Sequence, residues 1–534
     1  MEASTQSQVS QQSAWWASPP ARRIAHAITL GIIVWGAIAC YRMMTSDRVI
    51  DERFRDFYEF YDAADSLANG RDVFKAGKLG YVYPPMLVTL MLPFAKIGIE
   101  WAGVVWMLFN AACFAASAWL GGRAVARLLG LPVAAAPALT ALAMIVLADK
   151  ILSDFKMQQV NAAMLLAWVV GLWGMARVAG PMSDGKAASA SKHPTSDIRH
   201  PTFLVALAVG LATGFSVNLK YIALITLPYF VLRGHIKFAL GVVVGTLFWA
   251  LVPWAIIGWE QFAYLWRGAL GGLLQATDAS GVRADGNARL MNARTFGISI
   301  TTACVRIADG LQKPILGPLF AGVLLLVTYA ITQALYTRDG QPMWLGRFGR
   351  SERAKPRLML VEFVGLVTIA MAFSPQTNAR HIVQMLPLAL MLAATLLGAT
   401  SPRTRWLSIA GLVVLWFGII FPPAMPATKE LRQWWQEVAG LCTCLVIAWL
   451  LGVAAVLRER SDSAECCHTL HASTPGSAMS SEPRIWLGAS PDAPHAHAVA
   501  AAGAAIVTAC CFGASTRDQT ARPAIAAISR APLA

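Results

Sequence analysis

Long unbroken apolar runs alternate along this chain with shorter polar stretches. Within each run the apolar residues are continuous rather than every second position, so the runs read as helices and not as strands. A helix needs about 20 residues to cross a hydrocarbon core. Only helices or closed barrels satisfy every backbone polar group in lipid. Twelve runs fit: 24–44, 101–121, 132–149, 160–179, 202–217, 220–233, 237–257, 315–336, 358–374, 381–399, 406–421 and 438–457. The expected fold class is therefore an all-α polytopic membrane protein with about 12 transmembrane helices. Residues 1–20 are polar, and the first run has no small-residue cleavage site before the next charges. The first span is expected to be retained rather than cleaved.

One segment decides the orientation. Residues 84–98 are apolar but short, and they contain Pro84, Pro85 and Pro93. If they span, Arg123 and Arg127 end up outside. If they instead form an interfacial helix, the basic residues of seven loops fall on one side. These are Arg22 and Arg23; Arg123 and Arg127; Lys186, Lys192 and Arg199; Arg233 and Lys237; Arg338 through Arg357; Arg403 and Arg405; and Arg458 and Arg460. The positive-inside rule selects this second arrangement and places both termini in the cytoplasm. It yields a cytoplasmic segment 1–23, a membrane domain 24–457 and a tail 458–534. Loops 45–100 and 258–314 lie outside, with smaller outside segments at 150–159 and 374–381. The Asn218-Leu219-Lys220 turn is expected to dip below the outer surface. The tail is rich in Ala, Ser and Pro and reads as disordered, and its apolar stretch 497–513 is a weak span at best.

Composition agrees with this reading. Of 534 residues 56% are hydrophobic and 14% charged, and the mean hydropathy is +0.53. A net charge of +15 would suit nucleic acid, but the basic residues sit at helix ends and in short linkers. No nucleic-acid partner is expected; membrane lipids are. The 19 Trp suit interfacial belts. Cys40, Cys113, Cys304, Cys442 and Cys444 lie in or beside apolar segments, and no Cys/His metal spacing appears. Neither a metal nor a cofactor is expected.

The candidate chemistry lies outside. Asp56, Glu59, Asp62 and Asp65 recur every three to four residues, so a helix over 56–69 carries them along one side. Asn69-Gly70 ends it. Tyr81, Tyr83 and Pro84-Pro85 then open a second interfacial helix. A solvated acidic face accounts for Glu59, Asp62 and Asp65. Asp56 starts its helix just past the membrane exit, among aromatics, where a carboxylate can serve as a general base. Gln158, Gln159 and Asn161 stand at the mouth of one span and Lys220 at another. Asn287, Arg289, Asn292 and Arg294 lie in the second large loop; Arg380 and His381 open the tenth span. Outer cations depart from the positive-inside pattern. Headgroup snorkelling or a lipid-linked phosphate would each account for them.

Several of these segments together resemble glycosyltransferase family 87, the polyprenyl-phosphate-mannose-dependent mannosyltransferases of the GT-C fold. Asp56-Phe57-Tyr58-Glu59-Phe60-Tyr61, then Ala63-Ala64, Leu67, Gly70, Val73-Phe74 and Tyr83-Pro84-Pro85, are similar to the family's first outside loop. Gln159-Val160-Asn161 resembles its Gly-Gln-x-Asn segment, with Gln158 in place of Gly. Ala212 through Lys220 to Leu227-Pro228 resembles its Gly-x-x-x-Lys-x-x-Pro helix pair. Ser374-Pro375, His381 and Leu386-Pro387 resemble its Ser-Pro-x-x-x-x-His segment. Two departures stand out. Thr377 to Arg380 replace a stretch that often holds Trp, and Asn287-Ala288-Arg289 only loosely echoes the family's second-loop segment.

The resemblance implies a GT-C-like fold, with a lipid-phosphate sugar entering laterally from the outer leaflet. It implies Asp56 as general base, with Lys220, Arg380 and His381 near the donor phosphate. Arg294 joins that phosphate group. Tyr83, Gln159, Asn161 and Asn287 are the expected sugar or acceptor contacts. The expected activity is transfer of a hexose, mannose by the resemblance, from a polyprenyl-phosphate donor to a lipid or glycan acceptor on the extracytoplasmic face of the cell membrane. Two other classes stay open: a secondary transporter, and a non-catalytic envelope-assembly protein of the same fold. A transporter calls for internal symmetry and mid-membrane ionisable residues, which the sequence does not display.

Overall fold

The computed structural model describes residue 16 and residues 18–77, 81, 83–178, 199–277, 297–313, 315–339, 356–375, 377–421 and 428–472. Residues Met1–Thr469 form one compact unit. The second unit, Leu470–Ala534, is described only as far as Ala472. The described residues are helical, with no strand among them. In chain order the helices are α1 Pro19–Met44, α2 Ile50–Phe54, α3 Asp56–Ala68, α4 Pro85–Ala95, α5 Ile99–Leu128, α6 Ala136–Met157, α7 Asn161–Val178, α8 Arg199–Leu219 and α9 Thr226–Leu232. They continue as α10 Ile236–Ile257, α11 Trp259–Thr277, α12 Ile300–Gly310, α13 Leu316–Arg338, α14 Pro356–Phe373, α15 Leu386–Gly398, α16 Pro402–Ile420, α17 Lys429–Glu437 and α18 Gly440–Ala472.

Among the described residues nine helical segments are long and apolar enough to cross a membrane. They are α1, α5, α6 with its preceding turn, α10, α13, α14, the segment His381–Gly398, α16 and the first part of α18. Nine stand where twelve were expected. The expected spans 202–217 and 220–233 fall on shorter apolar helices, and 160–179 corresponds to the 18-residue α7. The chain is a multi-pass membrane protein.

The segment that governed orientation is resolved by α4. It has 11 residues, a rise of about 16 Å, half of what a bilayer core needs. Pro85 begins it, where a missing N–H costs nothing. It does not simply lie on a membrane surface, because Met86, Leu87, Val88 and Met91 are all buried in protein.

One expectation needs correction. The stretch 150–159 is not an outside loop, since α6 runs through Met157. Its charges are interleaved with apolar residues at helical spacing, and Leu147, Ile151 and Phe155 continue the buried face past Lys150. The last span is Gly440–Arg458, and α18 continues beyond it to Ala472. The stretch 497–513 lies outside the described residues.

Close packing of α8 on α10 sets the position of much that follows. Glycines line both helices. A Cβ on Gly214 would stand 2.1 Å from the backbone carbon of Gly245, and one on Gly241 would stand 2.4 Å from the Ala206 carbonyl oxygen. Only hydrogen fits there, and small residues are how membrane helices approach closely. Trp249 Nε1 donates to the Leu211 carbonyl (2.9 Å). Asn218 Nδ2 donates to the carbonyls of Gly214 (2.9 Å) and Thr246 (3.0 Å). The end of α8, and so the Lys220 that follows it, is fixed by this seam.

Candidate active site

The site is assembled from four turns at helix ends. The first is the start of α3. Arg55, between α2 and α3, has φ 50° and ψ −127°, a conformation that L residues avoid. This sharp break lets α3 begin anew at Asp56. The other side of α3 is apolar: Phe57, Phe60, Ala63 and Ala64 are buried. Phe57 stacks on Trp106 of α5 at 5.9 Å, and Phe60 meets Tyr83 edge-on at 5.1 Å. Burying each Phe is worth about 1.5–3 kcal/mol, which holds the helix and leaves Asp56 at its exposed corner.

The second turn joins α6 to α7. Gln158 lies in the left-handed region, φ 55° and ψ 43°, where glycine is favoured. That explains why a glycine suits this position in the pattern the sequence resembles. Here the Gln158 side-chain amide donates to Cys40 Sγ (3.3 Å), and the Gln158 backbone carbonyl accepts from Trp106 Nε1 (2.9 Å). Asn161 follows as the first residue of α7. The third turn is Lys220, extended between α8 and the 3-10 turn Tyr221–Ile225.

The fourth turn carries Arg380 and His381 ahead of α15. Asn378 Oδ1 accepts from the Arg380 amide (3.0 Å). The return of the second large loop braces this segment: Ile298 N donates to Thr377 O (3.0 Å), Thr301 Oγ1 to Phe373 O (2.6 Å) and Thr302 Oγ1 to Pro375 O (3.3 Å). Beneath it, Trp168 Nε1 donates to Gln384 Oε1 (3.0 Å).

These turns converge. Arg380 Nη1 pairs with Asp56 Oδ2, both side chains being 25% exposed. Asn161 Nδ2 donates to the Arg380 carbonyl (3.4 Å) and to Asp154 Oδ1 (2.8 Å). Lys220 Nζ donates to Asn161 Oδ1 (3.1 Å) and lies 2.9 Å from His381 Nε2. The same ammonium stands 5.8 Å from the centre of the Tyr83 ring. Burial, with the charge of Asp56 next in weight, pushes the Tyr83 phenol well up, so it remains a protonated donor.

Six sequence candidates are thus one cluster: Asp56, Tyr83, Asn161, Lys220, Arg380 and His381. Gln159 is buried, and its Oε1 has no hydrogen-bond partner among the described residues. Arg294 and Asn287, with Arg289 and Asn292, lie outside the described residues. Among the described residues no group of three or more His, Cys, Asp or Glu is placed to hold a metal.

One member was missed. Asp154 is completely buried, on the face of α6 that also carries Leu147 and Ile151. Extending the helical period past Lys150 would have found it.

The acids expected to form a plain solvated face do more than that. Asp62 Oδ2 accepts from Gly77 N (2.6 Å), and Asp65 pairs with Arg71. They fold the loop that follows α3 back onto it.

The sequence model of glycosyltransferase family 87 matches residues 81–345. Residues 81–345 are a glycosyltransferase family 87 region. That region contains Tyr83, Gln159, Asn161 and Lys220; Asp56, Arg380 and His381 lie on either side of it and meet it in space. With the nine apolar helices, the match makes the chain a membrane glycosyltransferase in class. No curated protein matches the chain. Among solved structures, the crystal structure of ArnT from Cupriavidus metallidurans bound to undecaprenyl phosphate is similar at 13% identity and a TM-score of 0.34, over 83% of this chain and 79% of that one.

Proposed function

We propose that this family 87 chain moves a hexose, with mannose as the first candidate, from a polyprenyl phosphate to a hydroxyl of a lipid or glycan acceptor on the extracytoplasmic side of the cell membrane. One observation carries the reading: a carboxylate and two cations from distant parts of the chain meet at one end of an apolar helix array. Arg380 engages Oδ2 of Asp56, and Oδ1 is the oxygen that takes the acceptor proton. As it does so, the acceptor oxygen bonds to the anomeric carbon and the bond from that carbon to the phosphate oxygen breaks. The sugar inverts, and the electron pair leaves with the polyprenyl phosphate.

The phosphate leaves well only if its charge is met. Lys220 and Arg380 supply that charge, in a partly buried setting where fixed cations act more strongly than in water. No second carboxylate has to protonate this leaving group, in contrast to glycoside hydrolysis. General-base assistance of this kind is worth roughly 10²–10⁴-fold. The buried Gln159 Oε1 and Thr377 Oγ1, which have no hydrogen-bond partner among the described residues, suit sugar hydroxyls, because buried polar atoms normally find partners.

The test offers radiolabelled polyprenyl-phosphate mannose, glucose and arabinose to membranes containing the full chain, with mass spectrometry of envelope lipids and glycans in cells with and without it. Label transfer from one donor, and loss of the matching glycan without the protein, is the expected result. No transfer from any of the three, with an unchanged envelope, contradicts the reading.

A further inference from the structure

Asp154 is the one charged member of the cluster to which the mechanism above gives no role. It is fully closed to solvent, whereas Asp56 is a quarter exposed. Its Oδ1 accepts from Asn161 Nδ2, and the oxygen of that same amide accepts from Lys220 Nζ. An amide has a donating end and an accepting end. A carboxylate can be served only by the NH2 end, so Asp154 determines which way Asn161 faces. With the other N–H of that NH2 group turned to the Arg380 carbonyl, Asn161 has no freedom left to flip. Its oxygen must face Lys220.

We propose that Asp154 is a positioning residue of this site, acting through the Asn161 amide to hold Lys220 as a phosphate-directed cation. The inference rests on the reading that the donor is a lipid-linked phosphate. The two cations then have separate carboxylates: Arg380 pairs with Asp56 directly, and Lys220 is matched to Asp154 across one amide. The intervening amide matters. A direct ion pair would occupy the ammonium and compete with a substrate phosphate. An ammonium has three N–H bonds. One goes to Asn161 and one to His381 Nε2, and the third remains for the phosphate.

The arrangement also sets the sense of His381. Asn378 N donates to Nδ1 in a long bond of 3.5 Å, and Lys220 Nζ lies 2.9 Å from Nε2. The shorter contact decides. The relay requires Nε2 to accept from Lys220 and the ring proton to sit on Nδ1, at the expense of the long bond from Asn378 N.

The experiment is a double-mutant cycle on the full-length chain in lipid nanodiscs, with undecaprenyl monophosphate as the probe. Its dissociation constant is measured for the parent, Asp154→Asn, Lys220→Met and the double variant. Asp154→Asn is expected to weaken binding about tenfold, the worth of one hydrogen bond to a charged group, and to have no further effect once Lys220 is gone. Equal losses in both backgrounds, or unchanged binding in a well-folded Asp154→Asn, overturn the proposal. A parent chain that does not bind the probe overturns it together with the phosphate reading. Asp56→Asn binding the probe yet failing to transfer sugar leaves both standing. Full transfer by Asp56→Asn removes the base alone. If Asp154→Asn fails to fold, the parent chain decides: 15N NMR of labelled histidines, with His381 assigned by its loss in His381→Gln, should show a protonated Nδ1. A protonated Nε2 overturns the relay.

Discussion

The Asp56–Arg380 pair and the Arg233–Glu362 pair have the same chemistry in different surroundings. In the second, Arg233 follows α9 and Glu362 lies on α14. Their side chains are 2% and 6% exposed, and Arg233 Nε donates to Glu362 Oε2 at 2.6 Å. Nearby, Tyr229 OH donates to Met359 O (3.4 Å), again joining α9 to α14. Glu362 stands about 16 Å along α14 from Phe373, whose carbonyl braces the candidate site. At the site the two partners are each a quarter exposed and border a chain of polar groups. A closed pair cannot exchange partners without leaving a charge buried, which is the cost that makes such a pair a fixture. A half-open pair gives up little when a phosphate or a hydroxyl takes one partner. The difference separates a staple from a working site.

The contrast should break most visibly at Glu362. Glu362→Ala leaves a buried guanidinium without its carboxylate and should destabilise the chain by about 3–5 kcal/mol, seen as a large drop in unfolding temperature in nanodiscs. Transfer per folded molecule should hardly change. Arg380→Ala should do the reverse, lowering turnover by roughly 10²–10³-fold while altering stability by less than about 1 kcal/mol.

The glycine seam ties the two regions together, since it fixes the end of α8 that leads to Lys220. Gly214→Val overpacks it and should cost about 1–3 kcal/mol, together with a rise in the donor KM. An unchanged KM would show that Lys220 is placed independently of the seam.

The smallest effect concerns the contact between α11 and the segment that follows α3. Tyr264 OH of α11 donates to Asp72 Oδ1 (2.6 Å), and Phe74 packs on the Tyr264 ring at 5.3 Å. Burial and Asp72 together push the Tyr264 phenol up to about 12, so it stays a donor. Partial burial raises Asp72, but the bonds from Tyr264 and Phe74 N and the nearby Lys75 outweigh it and hold its carboxyl below the usual 3.8. A depressed carboxylate stabilises above its unfolded value and loses that contribution as pH falls through the lower folded value. Hydrogen exchange in the 72–77 turn should therefore quicken only below about pH 4. Tyr264→Phe should cost under about 1 kcal/mol.

Much of this was legible because lipid leaves the chain few choices. Length and apolar continuity located the helices, and Pro84-Pro85 correctly marked the segment at 84–98 as too short to cross. Asp56, Lys220, Arg380 and His381 stood out as charges at helix ends, and those ends do meet. What failed was the boundary of α6. Lys150, Asp154 and Lys156 read as loop because charge was weighed above period, although Ile151 and Phe155 kept the helical spacing. Nor could sequence show that Asp154 faces Asn161. That contact depends on the left-handed turn at Gln158, which reverses the chain between α6 and α7. Gln158 gives no local sign of that conformation except that a glycine would be easier there.

Single-turnover transfer of labelled sugar by Asp56→Asn bears most directly on the account, at matched amounts of folded chain and saturating polyprenyl-phosphate donor. Asparagine keeps the size of the side chain and removes its basicity. The account predicts that donor binding persists while turnover falls at least about 100-fold. Turnover within a few-fold of the parent would contradict it.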